Sequence, residues 1–355
     1  MRDEGSDIRT GCNAYQERGR AMLTPKQNFL EVKNGGHPDR FVKQYEYFVP
    51  MFTPIGKMIG MPMPGELNYV NGWGVTSSWA PGQPGAFTVH TPDKIVCKDI
   101  EHWQDYVHAP DPKKVSETAW EEYQARFESI DPNEQYAAPF LSPGIFEQTH
   151  YLMEIKNCLI AFYENPDEMH ELIKYLVDWE LQVAELVCDH IPCKAMFHHD
   201  DWGSQTSTFL SPDMWAEFFL DPYKELYGYW KERGVEIIIH HSDSYAATLV
   251  PYMIEVGIDV WQGVMNSNNI PELIEKYGGQ ITFMGGVDSA TIDYEGWTQE
   301  VVDQRVKEAC DACGPLYFIP CASQGLPLSN FPGVYAATDD AIDRYSKIYW
   351  EEHGL

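Results

Sequence analysis

The rhythm of hydrophobic positions changes near residue 136. Before it, apolar residues fall in short clusters broken by Pro and Gly, as in Pro50-Met51-Phe52-Thr53-Pro54 and Met61-Pro62-Met63-Pro64-Gly65. Residues 1–110 therefore read as an irregular N-terminal elaboration. One helix is predicted inside it, from Thr24 to about Asn34. Thr24 is its N-cap, Pro25 its first helical residue and Gly35-Gly36 its stop. Leu67 to His90 alternates enough for a strand pair that turns at Pro81-Gly82-Gln83-Pro84-Gly85.

After residue 136, short apolar runs alternate with amphipathic stretches. The runs predict strands at Ala138–Leu141, Ala195–Phe197, Val235–Ile239, Asp259–Trp261, Ile281–Met284 and Tyr317–Ile319. Helices are predicted between them: one starting at Pro166, then Ser211–Lys231, Ala246–Val256, Ile270–Tyr277 and Thr298–Ala309. Gly234, Gly257, Gly278 and Gly314 stand where helices stop. Strand and helix alternating with short turns imply a parallel sheet, and the length suits a closed (β/α)8 TIM-type barrel. The chain reads as one domain over 1–355, with the barrel core at about 136–350. No G-x-G-x-x-G follows a first strand, so a dinucleotide fold has no support.

Charge narrows the partners. The chain carries a formal net charge of -29. Nucleic acid binding needs a basic surface, so nucleic acid is excluded, and strongly anionic substrates are disfavoured. No apolar stretch reaches the ~20 residues of a membrane helix, and the polar, acidic start is unlike a secretory signal. Eight cysteines without such a signal predict reduced thiols and a cytoplasmic location. Cys310 and Cys313 form a C-x-x-C pair with no second pair to answer it, and read as a helix end; Cys188 and Cys193 read as core.

Chemistry gathers where strands end. Ile237-Ile238-Ile239 runs into His240-His241-Ser242-Asp243, Lys194–Phe197 into His198-His199-Asp200-Asp201, and Leu316–Pro320 into Cys321. Three strand ends offering His, Asp and Cys point to a metal-centred site at the carboxyl edge of the sheet. His241 and Asp243 are two apart and share a face, whereas His240 faces the helix layer. His199 is an alternative imidazole ligand to His241. Asp201 is expected in substrate binding or acid–base work, and Asp288 either orients substrate or caps the helix after it. The chain is 14% aromatic, and Trp202, Trp261, Tyr245, Trp73 and Trp79 are candidate pocket walls.

His241-Ser242-Asp243, Glu255-Val256-Gly257-Ile258-Asp259-Val260, Phe283-Met284-Gly285-Gly286-Val287-Asp288 and Asp200-Asp201-Trp202-Gly203-Ser204-Gln205 together resemble the uroporphyrinogen decarboxylase superfamily. Met22–Leu30 and Gly144-Ile145-Phe146-Glu147 fit as well. The resemblance implies a TIM-type barrel and covers most of the chain beyond residue 20. One branch of that superfamily decarboxylates uroporphyrinogen and grips its carboxylates with an Arg-rich N-terminal segment, of which Gln16-Glu17-Arg18-Gly19-Arg20 is a faint echo. The other branch comprises zinc-dependent methyltransferases that work with corrinoid proteins and carry His-x-Cys followed much later by Cys. Here His241 matches the His and Cys321 the distant Cys, while Asp243 replaces the middle Cys; Glu147 is the candidate fourth ligand.

The resemblance thus implies a zinc ion on His241, Asp243, Cys321 and Glu147, with Asp201 and His241 catalytic. Asp200, Asp201, Trp202, Tyr245, Trp261 and Asp288 are then expected to bind substrate. Carboxylate is harder than thiolate, which favours an oxygen-bound methyl group such as an aryl methyl ether. The methyl acceptor is the cobalt of cobalamin on a partner corrinoid protein. The alternatives are a metal-free decarboxylase, transfer from corrinoid to a thiol or other acceptor, and a non-catalytic binding barrel.

Overall fold

The computed structural model of the chain describes residues 22–83, 85–325 and 327–355. The stretch 16–20 lies outside the described residues. Seven parallel strands build the main sheet in chain order: β1 (Phe48–Phe52), β2 (Tyr136–Leu141), β3 (Ala195–His199), β4 (Ile237–His241), β5 (Val260–Val264), β6 (Thr282–Val287) and β7 (Phe318–Ala322). Parallel neighbours need a crossover, and helices fill the crossovers after β2 to β6. The longest is Pro166–His190, which buries Leu172, Ile173, Leu176 and Val177 against the sheet's outer face.

The sheet curls. Phe48 of β1, Phe197 of β3, Ile239 of β4, Met284 of β6 and Ile319 of β7 share one buried cluster. The two edge strands therefore face one interior. No ladder joins β1 to β7 among the described residues. The described residues thus form a curled seven-stranded parallel sheet, an arrangement compatible with the expected TIM-type barrel. The N-terminal segment covers the seam. Phe29, Val32 and Tyr47 join the interior cluster, Val32 O accepts from Tyr317 N at 3.1 Å, and Phe41 N donates to Ser346 Oγ at 3.0 Å.

The region read as irregular therefore holds the first strand of the sheet. Pro50 hides it in the sequence, because proline cannot donate to a ladder; β1 tolerates it as an edge strand. Within the same region, the helix Pro25–Asn34 has Thr24 as N-cap and Gly35 as a left-handed C-cap. Thr24 Oγ1 accepts from Gln27 N at 3.2 Å, a contact worth about 1 kcal/mol. The strand pair of 67–90 is a three-stranded antiparallel sheet, Tyr69–Val70, Thr76–Ser78 and Phe87–Thr88. No helix among the described residues is long and apolar enough to cross a membrane.

Candidate functional site

Period-two alternation at the ends of β3 and β4 sorts four histidines. His198 and His240 point outward and are fully buried between sheet and helices, where Tyr227 Oη bridges their Nδ1 atoms at 2.8 Å each. His199 and His241 point inward. The β3–β4 register sets them side by side, and their rings stack at 4.3 Å. Both open onto a cavity of about 650 Å³ at the carboxyl edge of the sheet.

Each inward imidazole has its Nδ1 occupied. His199 Nδ1 lies 2.9 Å from Glu147 Oε2. His241 Nδ1 is bonded by Gln262 Oε1, and the Gln262 amide is oriented by its Nε2 donating to Gly325 O at 3.2 Å. With Gln262 accepting, His241 carries its proton on Nδ1 and turns the Nε2 lone pair to the cavity, 3.9 Å from Asp201 Oδ1. Ligand atoms of His199, Asp201 and His241 all lie within 4.8 Å of one another. Imidazoles with the far nitrogen held by an acceptor, beside a carboxylate, are the arrangement of a metal site with its supporting shell.

Local structure explains Glu147. It sits in the first turn of the helix Ile145–Met153, which begins without a side-chain cap of its own. Asp200, just past β3, supplies one: its carboxylate accepts from Phe146 N at 3.1 Å and Glu147 N at 2.7 Å. Trp202 Nε1 and Tyr223 Oη donate to it as well. Gly144 permits the approach, since a Cβ there would lie 2.4 Å from Asp200 Cβ. The carboxylate of Glu147, further held by Tyr151 Oη at 2.9 Å, is thereby aimed at His199.

Carboxylates and imidazoles crowd one another in this cavity, and burial sharpens their mutual effects. Burial alone would lower the His199 pKa, but the adjoining Glu147, with Asp201 and Asp243 behind it, carries it up to about 10. Burial and the neighbouring His199 push His241 down to about 4. Burial, then the Asp201 charge, drives Asp243 well above the carboxylate range. Asp200 rises to about 7 through burial and then the charge of Glu147. A divalent ion among these groups would displace the His199 proton and offset the crowded carboxylates.

The predicted residues divide. Asp201 and His241 stand together in the ligand group, joined by His199, which sequence reasoning held only as an alternative to His241. Glu147 bonds His199 and lines the cavity without joining that group. Asp243 also lines the cavity, and its backbone N donates to Asp201 Oδ1 at 2.9 Å. Cys321 does not join. It lies on β7, three strands round the curled sheet from His241 on β4, and is not in the group whose ligand atoms lie within 4.8 Å of one another. Its thiol is buried in the interior cluster, and burial raises its pKa. Gly325, not Cys321, stands against His241.

Several expected substrate contacts face away from the cavity. Asp200 and Trp202 are buried; Trp202 packs on Trp215 and His240. Trp261 is buried too and donates to Ser242 O at 2.9 Å. Tyr245 and Trp79 do not line the cavity, and Trp73 packs on Trp179. For Trp261 alternation is the cause: next to the inward Gln262 on β5, its indole faces the helix layer. Asp288 does line the cavity, and also caps the turn after β6 by accepting from Ala290 N at 3.0 Å. The aromatic walls are instead Phe87, Phe140, Tyr151, Phe197 and Phe209. Gln262 and Gly325 left no mark in the sequence, because neither residue type announces a ligand's support. A second cluster, Asp99, Glu101 and His102, is exposed and reads as a solvated surface.

No curated protein matches the chain. Among solved structures, a methyltransferase from Methanosarcina mazei shares the fold with a TM-score of 0.62 and 12% sequence identity, over 91% of this chain and 99% of that one. The family profile of uroporphyrinogen decarboxylase (URO-D) matches residues 141–336, which run from the last residue of β2 past β7 and include Glu147, His199, Asp201, His241 and Gln262. Architecture, site position and that match agree: the chain belongs to the uroporphyrinogen decarboxylase (URO-D) family.

Proposed function

We propose that this protein is a metal-dependent methyltransferase that takes a methyl group from a small O-methylated compound and delivers it to the cobalt of a corrinoid on a partner protein. The observation that carries the reading is the His199–Asp201–His241 group, its histidines held from behind by Glu147 and Gln262, in a cavity that no Lys or Arg lines among the described residues. A uroporphyrinogen substrate brings many carboxylates and needs cationic partners, and none lines this cavity among the described residues. The solved methyltransferase of the same fold supports the choice of branch.

The ligand set differs from the one the sequence suggested. His199, Asp201 and His241 would hold zinc, two imidazoles and a carboxylate being an established donor set for a catalytic site with an open position. The ion supplies Lewis acidity toward the oxygen of the donor. Without a thiolate among the donors it stays hard, which favours an oxygen substrate over a thiol. Glu147 and Gln262 orient the imidazoles and fix their tautomers. Phe140, Phe197 and Phe209 exclude water around the methylated group and position it. The partner docks over the mouth of the barrel, where the cavity opens.

Metal analysis of the purified protein, paired with methyl transfer from methoxyarenes to reduced corrinoid, tests this. About one zinc per chain and a methylated corrinoid are expected. A metal-free protein that converts uroporphyrinogen would establish the decarboxylase reading instead.

A further inference from the structure

We propose that the methyl donor bears no anionic group and carries an ammonium at its far end, which Asp288 recognises. The inference rests on the methyltransferase reading above and names the substrate class of the same cavity.

Five carboxylates line that cavity, Glu147, Asp201, Asp243, Asp288 and Asp293, against no Lys or Arg among the described residues. Glu147 holds His199 and Tyr151, and Asp293 accepts from Asn330 N at 2.7 Å and Phe331 N at 2.8 Å. Asp201 accepts from Asp243 N and lies near His241, and the Asp243 carboxylate sits among the charges of Asp201, His199 and Glu147, so both belong to the histidine end of the cavity. Asp288 stands apart from that end. One oxygen accepts from Ala290 N; the other has no partner, and the residue forms no ion pair among the described residues. Arg305, which lines a separate cavity of about 360 Å³ that Asp288 also borders, is paired with Glu308 at 2.7 Å.

Asp288 ends β6, two strands round the sheet from His241 on β4. A donor with its methoxy group at the histidines can therefore reach Asp288 with its other end. The Phe140, Phe197 and Phe209 walls suit an aryl ring between the two, and their faces attract a cation. A carboxylate at that end would lose its hydration and face like charge, a built-in discrimination against anionic analogues.

Titration calorimetry with 4-methoxybenzylamine, 4-methoxybenzyl alcohol and 4-methoxybenzoate tests this on the zinc-loaded protein. The amine is expected to bind about tenfold more tightly than the alcohol, and the benzoate more weakly than both. Asp288→Asn is expected to shrink the amine-to-alcohol affinity ratio severalfold. Benzoate binding as tightly as the amine, an unchanged ratio in Asp288→Asn, or no binding of any probe would each overturn the inference. Methyl transfer with the affinity order inverted would leave the methyltransferase reading standing and end this one. The expected order without methyl transfer would end the methyltransferase reading and, with it, the identification of the bound amine as a methyl donor.

Discussion

Glu147 Oε2 lies 2.9 Å from His199 Nδ1, and the helix turn that carries Glu147 is itself capped by Asp200, the residue after His199. The cap and the carboxylate thus hold one imidazole from two directions. Loss of such a partner typically weakens metal binding about 10–100-fold. Glu147→Gln should show that loss in competition with a chromophoric chelator, with the helical signal in circular dichroism retained. Wild-type affinity in this variant would remove His199 from the ligand set.

Cys321 separates the site found in the structure from the one suggested by the motif. Its thiol is buried among the interior residues and does not join the ligand group. Cys321→Ala should lower unfolding stability by about 1 kcal/mol and leave the metal stoichiometry of the purified protein unchanged. His199→Ala and His241→Ala should each lose the metal. A metal-free Cys321→Ala protein that is otherwise folded would restore the thiolate as a ligand.

Gly325 is held by its carbonyl, which accepts from Gln44 Nε2 at 3.0 Å and from Tyr45 Oη and Gln262 Nε2. Its φ is +81°, and a Cβ would lie 2.4 Å from His241 Cε1. Gly325→Ala should therefore displace His241, at a backbone cost of about 1–3 kcal/mol. The expected result is a folded protein with metal affinity reduced at least tenfold. A variant with intact affinity and thermal midpoint would show that the turn adapts freely.

Asp339 gives a pH dependence away from the site. Burial first, with Asp343 and Asp340 adding like charge against the opposing Lys43, raises its pKa from 3.8 to about 6. The folded chain therefore keeps a proton between roughly pH 4 and 6 that the unfolded chain has released. Stability from this group is present below that window, falls as pH rises through it and stays lower above it. Asp339→Asn should stabilise the protein by about 1 kcal/mol at pH 8, screening at this partly exposed site having reduced the full effect. The difference should vanish near pH 4. Denaturant unfolding at both pH values measures it, and equal gains at both would exclude this cause.

Much of the fold is legible from local chemistry. Thr24, Pro25 and Gly35 mark a helix because caps act within one turn. Val- and Ile-rich runs mark buried parallel strands, and β2 to β7 each overlap a predicted run. β1 escaped because Pro50, in a segment crowded with Pro and Gly, reads as a breaker, and its edge position leaves one side of the strand with no ladder to satisfy.

The site was legible as a place more than as a set of partners. Strand-end His and Asp residues announce where chemistry sits, and period two tells His241 from His240. Which ligands meet depends on lateral register, and nothing in the chain's local pattern encodes that His199 pairs with His241 across β3 and β4. The sequence by itself determined the strand-helix order, the acidic character and the residues able to bind a metal, because propensity, charge and alternation are short-range properties. The tertiary structure alone decided that His199 and Asp201 join His241, that Cys321 stays in the core and that Gln262 and Gly325 brace the imidazole, because the curl of the sheet sets distances between residues far apart in the chain.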